Sequence, residues 1–409
     1  MSYFNQVSYS DTGNIDAFGR LRVSQPVSIF DGQFTYDLQP ILYEQITNGS
    51  GASIAYDSTN RNALLTFSST PTGGSSYMQT FECFRYQPGK SQQITITFNF
   101  IAAVSNVLKF AGYSDGVNGI EFQNTGAVNQ FIVYSGTTNG NETAAQSVWN
   151  IDKLDGTGPS GLTLDITKAQ ILIMDFQALY TGRVRVGFNI NGTNIFCHQF
   201  THANMVVHPF LQSANLPVRC GMTCTGTVST TMKFQCSQVA SEGGSENTHG
   251  FQFTQAGSVT AGSGTRTHIL SIRPKTTFNS IPYRSQIGFI DINGLVTGSN
   301  SVHWELCLGQ SISGTTTFND VNTTYSGMQY NTAGTISGSP TIVIADGYIA
   351  ASGGGGGSPG AETVSLTSRY PLTLDHTGAV RSLGTLSLLV TGVGGTSACQ
   401  FSVTWQELR

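Results

Sequence analysis

Charged residues are scarce in this sequence. Asp, Glu, Lys and Arg make up 10% of its 409 residues, against about 25% in an average soluble protein. Helix surfaces are normally built from Glu, Lys, Arg and Ala, so this scarcity argues against a helical protein. The polar residues are instead Ser, Thr, Asn and Gln, accompanied by 48 glycines. Because β-branched and aromatic residues alternate with them, the composition predicts an all-β protein.

Basic patches, long apolar runs and paired cysteines are also lacking. The formal net charge of −4 does not supply the positive surface that nucleic-acid binding requires. No apolar run reaches the ~18 residues of a membrane-spanning helix, and residues 1–16 are too polar for a secretory signal. The seven cysteines do not have the spacing of a zinc site. We therefore expect free thiols, a reducing compartment, and no nucleic-acid partner, membrane insertion, cofactor or metal ion.

Several segments alternate apolar and polar residues with the period of a strand. Residues 91–100 are the clearest example, and their apolar side chains share one face: Ile94, Ile96, Phe98 and Phe100. The dipeptide Asn191-Gly192 separates two further alternating runs and predicts a hairpin with a type I′ turn. Many short strands at this spacing predict two antiparallel β-sandwich or jelly-roll domains preceded by an extended N-terminal arm.

Composition divides the chain into three parts. We predict an N-terminal docking arm over residues 1–35, a lectin-like β-sandwich over 36–243 and a second β-sandwich over 244–409. The boundary lies at a polar, glycine-containing stretch, residues 241–245. Residues 352–360 include five consecutive glycines, which lose much backbone freedom on ordering. This segment is expected to form an exposed loop or to become ordered against a neighbouring subunit.

The N-terminal arm concentrates side chains suited to protein contact. We predict that it binds a partner protein, by strand addition or a similar mode, through five residues: Phe18, Arg20, Leu21, Arg22 and Val23. The alternative interpretation is an ordinary first strand of the following domain.

The sequence carries no recognisable catalytic motif. It has no G-x-S-x-G elbow and no defensible Ser-His-Asp arrangement. The aspartates around the loop at 154–162 do not have EF-hand spacing, so turn capping is a better interpretation than calcium binding. We therefore predict a protein that is not an enzyme. A pair of glycosidase carboxylates stays open as an alternative, and it would make the protein a hydrolase of host polysaccharide.

Two blocks of sequence resemble a known family. The segments NIDAFGRLRVS at 14–24 and WNIDKLDGTGPSG at 149–161 are similar to segments of tailed-bacteriophage virion structural proteins. Shorter matches follow up to residue 243. Residues 250–409 share only the general character of these proteins, and the match there is weak. The resemblance implies a virion component that is assembled in the host cytoplasm, and it implies no catalytic residues.

The residues and the resemblance together predict a virion structural protein. It would dock on the capsid or tail through its arm, as a capsid decoration, head fibre or baseplate component, and self-assemble as a homo-oligomer such as a trimer or ring. The alternative is a receptor-binding tail protein that recognises host surface carbohydrate through its C-terminal domain. Four tyrosines there are candidate glycan or interface contacts: Tyr283, Tyr325, Tyr330 and Tyr348.

Overall fold

The computed structural model describes residues 15–19, 21–22, 26–85, 87–177, 180–213, 215–244, 250–351, 360–365 and 372–408. Strands dominate these ranges, and their only helical element is one 3₁₀ turn, Gln146–Val148. The prediction of an all-β protein built from antiparallel sheets is confirmed. Within the described ranges, no helix has the length and apolar character needed to cross a membrane.

The chain divides into two compact units, unit 1 over residues 1–246 and unit 2 over residues 247–409. Unit 1 contains two antiparallel sheets. Sheet A has the strand order β13-β12-β11-β6-β15-β4-β3, with β1 also pairing with β15. Its strands are β1 (Val27–Gln33), β3 (Ala52–Asp57), β4 (Asn62–Thr70), β6 (Ser91–Asn99), β11 (Gln170–Gln177), β12 (Val184–Ile190), β13 (Thr193–Phe200) and β15 (Val228–Ser241).

Sheet B has the order β10-β9-β8-β7-β14-β5-β2. Its strands are β2 (Tyr43–Asn48), β5 (Ser75–Thr80), β7 (Val107–Ser114), β8 (Gly119–Asn124), β9 (Asn129–Tyr134), β10 (Glu142–Ala145) and β14 (Val218–Cys224). The central strand β14 follows β13 in the chain yet joins the other sheet. Such crossing between sheets is typical of a β-sandwich and brings distant segments into register.

An aromatic core joins the two sheets of unit 1. Phe122 of sheet B packs against Phe100 at 5.6 Å between ring centroids and against Phe188 of sheet A at 5.1 Å. The four apolar side chains predicted to share one face of residues 91–100 are all fully buried in this core. Strand β6 therefore follows the alternation read from its sequence, because one face must leave water while the other faces the less buried surface.

The predicted hairpin is also present. Strands β12 and β13 are antiparallel, with Ile190 opposite Thr193. Asn191 and Gly192 have φ values of 52° and 81°, as both central residues of a type I′ turn require. Local sequence thus sets the register of these two strands.

Unit 2 has its own sheets and its own core. A four-stranded sheet has the order β16-β29-β20-β27, a six-stranded sheet has the order β23-β24-β17-β28-β21-β26, and two ribbons pair β18 with β19 and β22 with β25. Trp304 and Trp405 are buried in its core. The strands are β16 (Phe251–Ala261), β17 (Thr267–Pro274), β18 (Thr277–Phe278), β19 (Ile281–Pro282), β20 (Gln286–Val296), β21 (Ser301–Leu308), β22 (Ser311–Gly314), β23 (Asn319–Asp320), β24 (Met328–Asn331), β25 (Gly334–Ser337), β26 (Ile342–Ile349), β27 (Gly360–Ser365), β28 (Leu386–Val393) and β29 (Ser397–Leu408).

Candidate functional site

Sheet B presents a polar and aromatic surface on the side turned away from the core of unit 1. Successive side chains of a strand point to opposite faces, so residues that alternate with core residues such as Ile120 and Phe122 lie on this outer side. We call it the front face, and its main side chains are Glu44, Tyr77, Gln79, Phe110, Glu121, Gln123, Gln130, Tyr134 and Arg219.

Strand pairing aligns the front-face residues in rows that cross the sheet. One row joins Glu121, Gly112, Arg219, Gln79 and Glu44 on five successive strands. The adjacent row joins Gln130, Gln123, Phe110, Gly221 and Tyr77. Each row runs perpendicular to the strands, with neighbouring positions about 4.8 Å apart, and a glycine, Gly112 or Gly221, leaves one position of each row without a side chain.

Glu121 is the most buried acid of the front face, at 2% exposure. Its Oε2 accepts a hydrogen bond of 2.8 Å from Gln123 Nε2. Its Oε1 lies 3.6 Å from Arg219 Nε and receives no hydrogen bond from any described residue. The Arg219 charge therefore balances this buried carboxylate, and the oxygen keeps the capacity to accept a hydrogen bond.

Two amide side chains extend this polar network. Gln130 Nε2 donates to Gln123 Oε1 at 2.9 Å, and Gln123 Nε2 also donates to the Tyr134 hydroxyl at 2.7 Å. Burial raises the pKa of Tyr134 above its usual value near 10, which keeps the phenol protonated at neutral pH. The front face therefore offers fixed donors and acceptors with little net charge.

Arg219 lies over two aromatic rings whose centroids are 6.0 Å apart. Its guanidinium carbon is 4.8 Å from the centroid of Tyr77 and 4.6 Å from that of Phe110. A Cβ at Gly221 would lie 2.1 Å from the Tyr77 Cβ, so glycine at this position permits the ring to approach the strand. This stacking holds both the cation and the half-buried Tyr77 ring in defined positions.

An open groove of about 890 Å³ lies at the end of sheet B where β9 leads into the following loop. Gly136, Tyr180, His208 and Gln212 are among its lining residues. Gln212 N donates to Asn118 Oδ1 at 2.8 Å and thereby connects this wall to the turn after β7. The groove extends the accessible surface at the end of the sheet that carries Tyr134.

Part of the predicted docking arm is held on unit 1 itself. Arg22 forms ion pairs with Asp175 at 2.6 Å and with Glu242 at 2.5 Å. Asp175 also pairs with Arg185, whose Nη2 donates to the Ile15 carbonyl at 2.8 Å. These contacts cross sheet A and fix the described part of the arm against it.

The five predicted arm residues therefore have different environments. Arg22 is engaged within unit 1, Phe18 is half-buried, and Leu21 is 44% exposed. Arg20 and Val23 lie outside the described residues. Binding of a partner protein by the arm stays a prediction, and Leu21 is its most accessible apolar side chain among the described arm residues.

The four tyrosines predicted as glycan or interface contacts do not form one surface. Tyr283 is 5% exposed and donates a 2.8 Å hydrogen bond to Glu407 Oε2, which makes it a core residue of unit 2. Tyr330 is half-buried on β24. Tyr325 and Tyr348 are each 67% exposed, and these two retain the accessibility that the prediction requires.

The front face was missed by sequence reasoning. The alternation in residues 119–124 places Glu121 and Gln123 on one side of a short strand. This alternation is the one feature of the sequence that could have indicated the front face. Arg219, the partner of Glu121, lies almost a hundred residues further along the chain, so no local pattern could associate them.

The fold of this chain is similar to that of several solved structures. No protein-family model matches the chain, and no curated protein matches it. Among solved structures, it is similar to an endo-1,3-β-glucanase from Streptomyces sioyaensis, at 12% identity over 53% of this chain and 97% of that one, with a TM-score of 0.39. A β-glucanase from Bacillus licheniformis matches at 11% identity over 53% and 98%, with a TM-score of 0.35.

A bacteriophage protein is also among the similar structures. It is described as a conserved carbohydrate esterase from the Shiga toxin-encoding bacteriophage phi24B, and it matches at 11% identity over 53% of this chain and 99% of that one, with a TM-score of 0.31. At these identities the comparisons bear on the fold alone.

Several of the similar structures are named as glucanases or glycosyl hydrolases, and these names stand against the prediction that the chain is not an enzyme. That prediction relied on the scarcity of charged residues and on missing sequence motifs. A glycosidase site requires only two suitably placed carboxyl groups, which a chain with few charges can supply. The finding that stands is a β-sandwich of the jelly-roll kind.

Proposed function

We propose that the protein binds carbohydrate on the front face of unit 1, as a component of a tailed-bacteriophage particle. The single observation that carries the carbohydrate proposal is the environment of Glu121. Its buried carboxylate accepts a hydrogen bond from Gln123 and forms an ion pair with the stacked Arg219. A sugar offers hydroxyl donors for such acceptors and apolar ring faces for half-exposed tyrosines.

The arrangement favours an extended neutral glycan. The partly exposed side chains lie on two strands that three others separate, rather than around a single closed pocket: Tyr77 and Gln79 on β5, and Gln130 and Tyr134 on β9. Positions in the rows are about 4.8 Å apart, and hydrogen-bonding side chains occupy four of the five positions in the row of Glu121 and three of the five in the adjacent row. A chain of sugars that lies across the strands would meet such groups repeatedly.

The row of the front face that contains Glu121 does not supply two carboxyl groups at the separation found in glycosidases. Glu44 lies four strands away in that row, which corresponds to about 19 Å. Retaining and inverting pairs are separated by about 5 Å and by about 6.5–9.5 Å, respectively. The role proposed for Glu121 is accordingly that of a hydrogen-bond acceptor.

Location on a phage particle is supported by the resemblance of residues 14–24 and 149–161 to virion structural proteins. Low Lys and Glu content also reduces the side-chain entropy lost when a surface is covered by a partner. In this proposal the arm contacts the capsid or tail, and copies of the chain assemble with one another.

An array of neutral oligosaccharides, including β-1,3- and β-1,4-glucans, tests the front-face proposal with the full chain. We expect saturable binding to at least one glycan and a loss of about tenfold in affinity for Tyr77→Ala, as removal of a central aromatic contact commonly causes. Glu121→Gln should also weaken binding, because it removes a carboxylate acceptor with little change of shape. Tyr36→Ala is the matched control, since Tyr36 is 86% exposed and lies outside sheet B.

Equal affinity of wild type, Tyr77→Ala and Glu121→Gln would contradict the assignment of this face, as would absence of binding across the array. Thermal unfolding of each variant establishes that the fold is retained. Release of reducing ends during the same incubation, lost in Glu121→Gln, would assign hydrolysis rather than simple binding to the front face.

A further inference from the structure

Unit 2 contains a separate polar pocket of about 290 Å³. It is formed where β17, the end of β21 and the segment from β22 to β23 meet. Arg273, Gln310, Thr316, Phe318, Ser382 and Thr385 are among its lining residues. Its size suits one small polar molecule rather than a polymer.

Arg273 provides an uncompensated positive charge in this pocket. Its guanidinium carbon is 3.9 Å from the centroid of the Phe318 ring, which fixes the plane of the group. Its hydrogen bonds to described residues are two long contacts of 3.3 Å with the neutral Gln329 Oε1, and it forms no ion pair with any described carboxylate. A partly buried guanidinium in this setting is suited to bind an anion, most strongly a planar carboxylate in two-point contact.

Gln310 provides an unsatisfied acceptor in the same pocket. It is 4% exposed, and its Nε2 donates to the carbonyl oxygens of Ser311, Ser337 and Gly338 at 2.7, 3.2 and 3.4 Å. Three carbonyl partners establish which end of the amide is nitrogen. The remaining Oε1 is buried without a donor among the described residues, so it is available for a ligand hydroxyl.

We propose that this pocket binds an acidic sugar. The ligand needs a negative group for Arg273 and hydroxyl donors for Gln310, and a hydroxylated carboxylate such as a uronic acid combines both. Thr316, Ser382 and Thr385, three residues with hydroxyl side chains, line the same space, and this composition favours a polyhydroxylated ligand over a bare anion. The site is separate from the front face and does not depend on the function proposed for it.

Titration of the full chain with glucuronate, glucose and inorganic phosphate tests this site. Glucuronate and glucose differ by the carboxylate, so they separate the contribution of Arg273 from that of the hydroxyl groups. We expect glucuronate to bind with a dissociation constant on the order of 1 mM, as is reasonable for a ligand of this size, and the other two probes to bind at least about tenfold more weakly.

Arg273→Lys keeps the charge but lacks the planar fork, so we expect it to lower glucuronate affinity about tenfold or more. Arg61→Gln in unit 1 is the control for loss of an exposed arginine, and Tyr77→Ala excludes binding on the front face. The proposal is overturned if glucuronate does not bind the wild type, if phosphate binds as tightly, or if Arg273→Lys, shown to be folded by its thermal unfolding, binds as tightly as wild type.

Discussion

Single buried side chains determine how the stability of this protein responds to pH. His268 is 5% exposed, and its Nε2 lies 2.8 Å from Ser271 Oγ, which in turn contacts Ser387 Oγ at 2.6 Å. Burial lowers the pKa of His268 below its usual value of 6.5, because the charged ring loses its hydration in the core. The neutral ring is therefore the form that unit 2 accommodates.

The sign of the resulting pH dependence follows from proton linkage. Below about pH 6.5 the unfolded chain takes up the proton on His268 while the folded chain resists it, so the free energy of unfolding falls as the pH falls. We expect His268→Gln to reduce this loss of stability between pH 6.5 and 5, measured by denaturant unfolding. An unchanged pH dependence in His268→Gln would contradict this account.

At the scale of elements, one residue of the arm is bound to sheet A and the residue before it is exposed to solvent. Arg22 fixes it to sheet A through Asp175 and Glu242, and an arginine between two nearly buried carboxylates is held by charge-assisted hydrogen bonds. Leu21, the residue before it, remains 44% exposed. The arm residues that contact unit 1 thus differ from those that a partner protein could contact.

If the arm docks the protein as proposed, the double variant Phe18→Ser, Leu21→Ser removes two of its apolar contacts, and we expect incorporation into phage particles to fall by about tenfold or more. Incorporation is measured by immunoblot of purified particles. The control is Met205→Ser, which changes a side chain with 72% exposure elsewhere in unit 1. Normal incorporation of the double variant would show that the arm does not dock the protein.

At the scale of the whole molecule, two cores govern stability. The buried aromatic cluster of unit 1 and the tryptophan-containing cluster of unit 2 are made from different segments of the chain. In unit 2, Gly327 lies under the ring of Tyr283, so that an added Cβ would lie 2.1 Å from the ring carbons. Glu407 holds this region together through the Tyr283 hydroxyl and the Gly327 amide.

Calorimetry of the full chain should therefore resolve two transitions, as expected for units with separate cores. We expect Gly327→Ala to destabilise unit 2 by about 2 kcal/mol through overpacking, which lowers its transition by about 4–8 °C and leaves the other unchanged. Gly288→Ala is the control, since no atom lies within 4 Å of its added Cβ. A common shift of both transitions would show that the two cores unfold together.

The sequence by itself determined the features that depend on near neighbours. The scarcity of charge predicted strands, the alternation in residues 91–100 predicted the buried face of β6, and Asn191-Gly192 predicted the β12–β13 turn. Each follows from preferences that act within a few residues, namely the two-residue period of a strand and the positive φ of a type I′ turn.

Only the tertiary structure decided which distant side chains meet. Tyr77 and Arg219 come together because β5 and β14 are neighbours in sheet B, and Arg22 meets Asp175 and Glu242 across sheet A. Tyr283, a candidate glycan or interface contact in the sequence, lies in the core of unit 2. The order of strands is set by the packing of whole sheets, and the distance between two residues in the sequence says little about it. The residues of each candidate site could therefore be identified only in the folded structure.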